Sequence, residues 1–293
     1  MSYRNCKIYS DGGHYIAIPS ENFPHGKKQP SKSTTTTPHK AEFETAYMQS
    51  QALPKKKRNA YIAEQLKDCF TSEQETKEFI KQQTERKKVN AIKRRVRLFR
   101  KVNLQQWNYF VTFTFSNELH TEQTFKKKLT NTLKHLVSRK GWKYIGVWER
   151  SPEKQRLHFH GIFYIPENSM IGTLEQTTDY STKTHKMQTT YQNTHFLKHF
   201  GRNDFKKLNI IQEIELSVRY LLKYIEKSGE RIVYGGKLPT YFVSSITDDD
   251  VLCKYGVGDR KLLLFDHFTC IDDDGVVMGK ASPEVIKKMP KCN

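Results

Sequence analysis

From Asn108 the chain alternates with a period of two: Tyr109, Val111, Phe113 and Phe115 fall on one side, Phe110, Thr112 and Thr114 on the other. That alternation predicts a strand. The spacing then changes to three and four at Phe125, Leu129, Thr132, Leu133, Leu136 and Val137, which predicts a helix stopping at Lys140-Gly141. YIGVWE, ending at Glu149, and LHFHGIFYI, Leu157 to Ile165, read as two strands joined by the polar loop 150–156, hence a hairpin that Pro166 ends. The threonine-rich stretch 167–204 reads as an insertion on the core domain rather than part of its sheet. Phe205 to Ile211 suggests a returning strand, Glu213 to Ser228 a helix closing at Gly229, and TYFVSSI near Tyr241 the last strand. This order predicts the α+β class: an antiparallel sheet backed by helices in a split βαβ arrangement.

Upstream the pattern is weaker. Residues 1–60, with SKSTTTTPHK around Thr34 to Thr37, read as a poorly ordered basic segment in which GHYIAIP suggests one short strand. Ser72 with Glu75 makes a capping box, and Phe79, Val89, Ile92, Val96 and Phe99 keep helical spacing on one face, so a long helix runs to about Lys101. The expected division is 1–60, a basic helical segment 61–104, a core domain 105–246, and a C-terminal extension 247–293 of unassigned role. In that extension Leu262, Leu263, Leu264 and Phe265 suggest one more packed strand.

Charge narrows the function classes. The 293 residues carry 50 Lys or Arg against 31 Asp or Glu, a formal net charge of +19. Residues 247–293 hold seven of those bases and nine of the acids, so the positive field belongs to the rest of the chain. Such a field attracts polyanions, and nucleic acid leads because each neutralised phosphate releases condensed counterions. Ten bases crowd residues 81–101 against Glu85 alone, and Lys93, Arg94, Arg95 and Arg97 are its expected phosphate contacts. Pro54-Lys55-Lys56-Lys57-Arg58 reads either as a nuclear import signal or as a solvated phosphate-contacting run. No apolar run approaches a membrane span and no secretory leader is evident, so an intracellular protein without a membrane partner is expected. The five cysteines are scattered and never spaced CxxC, which argues for reduced thiols.

Two constellations carry chemistry. His158 and His160 alternate in a strand, so both imidazoles point to one face about 7 Å apart along it and can share a metal ion. The hairpin brings Glu149 beside His158 as a third ligand, unless that carboxylate only pairs with Arg150 or Arg156. One carboxylate and two imidazoles suit Mg or Mn, with zinc left open. On the helix SVRYLLKYIEKSGER, Ile214, Val218, Leu221, Leu222 and Ile225 form the core stripe. Tyr220, Lys223, Tyr224 and Lys227 lie on another face, where ammonium groups and a cation favour a nucleophilic phenolate.

These residues resemble the rolling-circle replication initiators of the HUH endonuclease superfamily, from single-stranded DNA phages, circular Rep-encoding viruses and small plasmids. FVTFTFS (110–116) is similar to the family's first motif, HFHGIF (158–163) to its metal-binding second motif and YLLKYIEK (220–227) to the third, which bears the catalytic tyrosine and its lysine. The doubled tyrosine most resembles the microvirus gene A type. The resemblance covers roughly residues 85–246 and implies an HUH/RRM-like fold and a metal held by Glu149, His158 and His160. It also implies a nick through a 5′-phosphotyrosine in single-stranded origin DNA. No GxxxxGK[ST] loop occurs, so a separate host helicase and polymerase are expected. The competing readings are an HUH transposase or relaxase, and a non-catalytic single-strand binder in which Phe113 and Phe115 stack on bases.

Overall fold

The computed structural model of the protein describes residues 2–20, 38–151, 156–181, 185–228, 232–256, 258 and 260–292. Thr34 to Thr37 lie outside them, and in residues 223–228 the backbone alone is described. The chain divides into two compact units, Glu21–Val96 and Met1–Ser20 with Arg97–Asn293. The elements in order are β1 (Ser2–Ser10), β2 (Tyr15–Ile18), α1 (Lys40–Ser50), α2 (Lys55–Leu66), α3 (Glu73–Asn103), β3 (Tyr109–Thr114), α4 (Glu122–Lys140), β4 (Lys143–Arg150) and β5 (Leu157–Tyr164). Then come β6 (Leu174–Ser181), β7 (Lys186–Asn193), α5 (Thr194–Phe200), β8 (Asn203–Lys207), α6 (Ile211–Ser228), β9 (Val233–Gly235) and β10 (Tyr241–Thr247). Last are β11 (Val251–Lys254), β12 (Leu262–Leu264), β13 (Thr269–Ile271), β14 (Val277–Lys280), α7 (Pro283–Lys288) and β15 (Lys291–Cys292).

The larger unit holds an antiparallel sheet in the order β8-β3-β5-β4-β9. Both β3 and β4 run against β5, which lies between them, so β3-α4-β4 is the expected split βαβ. Helix α4 starts at Thr121, whose Oγ1 accepts the Thr124 N–H, and stops at Gly141 in the left-handed region with φ 68°. Its Phe125, Leu129, Leu133 and Leu136 pack on an aromatic layer that includes Phe113, Trp148, Phe159, Phe163 and Phe205. On the other face of the sheet Ile145, Val147 and Ile162 lie in a core with Val218 and Leu221 of α6 and Leu98 and Val102 of α3. Strand alternation therefore sends Phe159 into the first core and His158 and His160 to the second face. Gly146 makes this possible, since a Cβ there would run into the Phe159 ring.

The insertion forms the hairpin β6-β7 and helix α5. Asn203 accepts the Asn193 N–H at 2.7 Å, while Asn193 Oδ1 caps α5 through the N–H groups of His195 and Phe196. The sheet resumes two residues earlier than the spacing predicts, because Asn203 and Asp204 already pair with Phe113 and Thr112.

A second sheet runs β11-β12-β2-β1-β10-β13-β14, with β15 on β10. It corrects two expectations. TYFVSSI is the strand β10, but it belongs to this sheet, and β9 closes the first one. Nor does poor order hold for the described part of residues 1–60. Cys6, Ile8 and Ala17 are fully buried with Phe242, Ile246 and Phe268. A register shift between Tyr3 and Cys6, with Asn5 at φ 49°, breaks the alternation that pattern reading relies on. The strand expected around Leu262 is present as β12, with Leu262 and Leu264 buried.

In the smaller unit α1, α2 and the start of α3 enclose Phe43, Ala46, Ile62, Leu66 and Ile80. Ser72 caps α3 through the Glu75 N–H, but the Glu75 carboxylate accepts from Thr71, so the capping box is only half formed. The apolar stripe of α3 is a further correction, because Val89, Ile92 and Val96 are exposed, Ile92 by 61%. The residues of α3 that pack lie toward its two ends.

Candidate active site

The site sits where β3 and β4 end and β5 begins. Glu149 and His158 are direct cross-strand partners, which leaves His160 diagonal to the carboxylate. It is the diagonal that closes: His160 Nε2 lies 2.9 Å from Glu149 Oε2, both side chains being about nine-tenths buried. On the other side β3 supplies two hydroxyls in register. Thr112 pairs with His160 and Thr114 with His158, and their Oγ1 atoms lie 3.0 and 2.7 Å from the respective Nδ1 atoms. The two imidazoles stack with centroids 5.9 Å apart.

The neighbouring arginines have other partners. Arg150 forks onto Glu122 and Arg156 reaches the Phe115 carbonyl, whereas Glu149 meets His160. Burial pushes the His158 imidazole down to about 4, and His160 adds to this more than Glu149 offsets it. It is therefore neutral near pH 7, the form that ligates cations. The donor set, one carboxylate and two imidazoles with Nδ1 engaged by hydroxyls, fits a divalent ion in kind. As arranged, no three His, Cys, Asp or Glu side chains among the described residues form a metal cage.

Helix α6 brings the second constellation to this face. The Tyr220 ring lies 5.4 Å from that of His160 and 5.6 Å from that of Phe110, edge-on to both, and Phe110 stacks on His160. Val218 and Leu221 are buried as the core stripe requires. Tyr224, Lys223 and Lys227 belong to the same helix, and their side chains lie outside those described. Helix α6 follows β8, whose Lys207 pairs with Tyr109, so it starts at the far end of the sheet and its later turns advance toward the His158 end.

The remaining expectations divide. Lys93, Arg94, Arg95 and Arg97 all lie exposed on α3. The Lys55–Arg58 run is the first turn of α2 behind Pro54, and Arg58 is tied to the Gln51 and Leu53 carbonyls and the Gln51 side chain. Phe113 and Phe115 are buried in the aromatic core, so the base-stacking platform of the non-catalytic reading is not there. What the residue spacing did not assign is the role of Thr112, Thr114 and Phe110, although period-two alternation already placed them on the histidine face. No described helix is long and apolar enough to cross a membrane.

Residues 108–229 match the family model of the replication-associated protein ORF2 and gene-2 protein. The match contains Glu149, both histidines, both tyrosines and the two threonines, and supports a role in replication initiation. No curated protein and no solved structure matches the chain.

Proposed function

We propose that this protein initiates rolling-circle replication by nicking and rejoining single-stranded origin DNA through a 5′-phosphotyrosine, using Mg or Mn. The observation that carries the reading is the meeting of Glu149, His158, His160 and Tyr220 on one sheet face within the segment matched to replication-associated proteins. Glu149, His158 and His160 would hold the ion, which when bound supplies Lewis-acid stabilisation of the scissile phosphate. Thr112 and Thr114 turn the imidazoles, and burial keeps His158 neutral.

The tyrosine Oη forms a bond to phosphorus as the bond from phosphorus to O3′ breaks. The phenolic proton is given up and the leaving oxygen becomes a 3′-OH, so one ester replaces another and the step is reversible. Lys223 and Lys227 are the bases on this helix whose positive charge would favour the phenolate. The 3′-OH primes synthesis by a separate host helicase and polymerase. Localisation is at replicating DNA in the host cell, and nuclear entry through residues 54–58 would require a folded helical turn to be read.

Intact mass after incubation with single-stranded hairpin oligonucleotides tests the proposal. A gain equal to the 3′ fragment of the cleaved strand, lost in chelator, is expected. A protein that binds the hairpin but never gains mass with Mg or Mn would be a binder only.

A further inference from the structure

The end of the first sheet remote from Glu149 gathers cations whose described partners carry no charge. Lys143 opens β4 opposite Tyr164 at the end of β5, donates to Gln105 Oε1 at 2.6 Å, and stands 5.8 Å from the Tyr164 ring centroid. Lys101 donates to the Leu238 carbonyl and lies 5.5 Å from the Tyr234 ring centroid. Lys291 donates to the Lys287 carbonyl at 2.7 Å. These partners are neutral oxygens or rings. Among the described residues no carboxylate pairs with Arg97, Lys101, Lys143, Lys287 or Lys291.

The charges also feel one another. Burial lowers Lys143, and the Lys291 and Lys287 charges lower it further; burial and then Arg97 do the same to Lys101. Strand β9 joins the two halves, since it carries Tyr234 and leads into Gly236, where a Cβ would lie 3.0 Å from Lys143 Cγ. Cations held together without an acid repel, and a partner's anions would relieve that repulsion.

We infer that this edge binds the phosphate backbone of DNA that extends away from the reaction site. The inference rests on the proposed reading for what the ligand is, while the surface itself is independent of catalysis. Six residues of β4 separate Lys143 from Glu149, about 20 Å, and the even count puts both on one face. Phosphates in one strand of a duplex repeat about every 3.4 Å, so about six would span that distance. Sharing a face with the site favours the same ligand for both, ahead of an anionic membrane.

The test is the salt dependence of binding to a 30-nucleotide strand, followed by anisotropy. Lys143→Gln with Lys287→Gln and Lys291→Gln should make the slope of log K against log salt shallower by about 2, at roughly 0.7 per single-strand phosphate contact. The double variant Lys287→Gln with Lys291→Gln, both exposed, should lose about two-thirds of that and guards against misfolding at half-buried Lys143. Lys127→Gln, Lys128→Gln and Lys134→Gln, exposed on α4, form the control and should change the slope far less. A wild-type slope in both patch variants, or equal flattening by the control, overturns the inference. So does patch-dependent binding to phosphatidylserine vesicles with DNA slopes unchanged. Adduct mass on the same samples separates the two claims: a flattened slope without any adduct keeps the patch and removes the nicking chemistry, and an adduct with unchanged slopes does the reverse.

Discussion

Thr114 Oγ1 lies 2.7 Å from His158 Nδ1, and two residues earlier on β3 Thr112 Oγ1 stands in the same relation to His160. A hydroxyl on Nδ1 fixes the ring plane and turns Nε2 away from β3, which for His160 means toward Glu149. Thr112→Val with Thr114→Val should therefore weaken Mn binding, measured calorimetrically, by about 10- to 100-fold, the range typical of contacts that orient a ligand. Thr→Ser at both positions keeps the hydroxyls and should restore it. Equal Mn affinity in the valine and serine variants would show that the hydroxyls do no orienting.

Much of this sheet was legible because its alternation is unbroken: Phe113 and Phe159 take one face, while Thr112, Thr114, His158 and His160 take the other. The hairpin followed from Glu149 and the histidines flanking one polar loop. The diagonal closure of Glu149 onto His160 was not legible, since register gives the opposite residue and only side-chain geometry gives the diagonal. Strand β1 escaped for a different reason, because its bulge after Tyr3 interrupts the period and its partner β10 lies more than 230 residues away. The stripe of Val89, Ile92 and Val96 misled because helical spacing reports a shared face and not what covers it.

His158, held near 4 in the folded protein against an ordinary 6.5, ties stability to pH. Between these values the unfolded chain binds a proton that the folded chain does not, so its contribution is complete above about 6.5 and is lost as pH falls toward 4. Because the ring is partly exposed, the loss is about 1–2 kcal/mol. Urea denaturation in chelator at pH 7 and pH 4.5 should show wild type losing more stability than His158→Gln. Parallel losses would place the acid sensitivity elsewhere.

Gly146 faces Phe159, the residue between the two histidines. An alanine Cβ would run into the Phe159 ring and meet the His160 carbonyl at 2.9 Å, so either the ring or β5 must shift. Gly146→Ala should cost about 1–3 kcal/mol in equilibrium unfolding, the range for overpacked cores. A variant as stable as wild type would mean that the aromatic layer has room which the structure does not give it.

Lys93, Arg94, Arg95 and Arg97 are exposed within one helical stretch of α3. Replacing all four by Gln should make the salt slope for single-stranded DNA shallower by about 3, at roughly 0.7 per contact, with similar loss on any sequence. A variant that changes sequence preference but keeps its slope would move these side chains from the backbone to the bases.

Tyr220 and Tyr224 occupy successive turns of α6. Tyr220 already touches His160, and the turn carrying Tyr224 advances along α6 toward His158 by about 5.4 Å, close to the 5.9 Å between the two imidazoles. One metal-bound phosphate could thus be approached from either turn. Lys227, one turn beyond Tyr224, lies nearer the open end of the sheet than Lys223, and Tyr220 is partly enclosed by Phe110 and His160, which restrains the swing an attacking ring needs. The first attack is therefore assigned to Tyr224, and tryptic mapping of the covalent adduct should find the oligonucleotide there. Tyr224→Phe should cut adduct yield by at least about tenfold, which corresponds to a barrier increase near 1.4 kcal/mol. Tyr220→Phe should spare the first nick and slow rejoining if the tyrosines alternate. An adduct found only on Tyr220, with Tyr224→Phe nicking at the full rate, would reverse the assignment and leave Tyr224 a bystander on the helix.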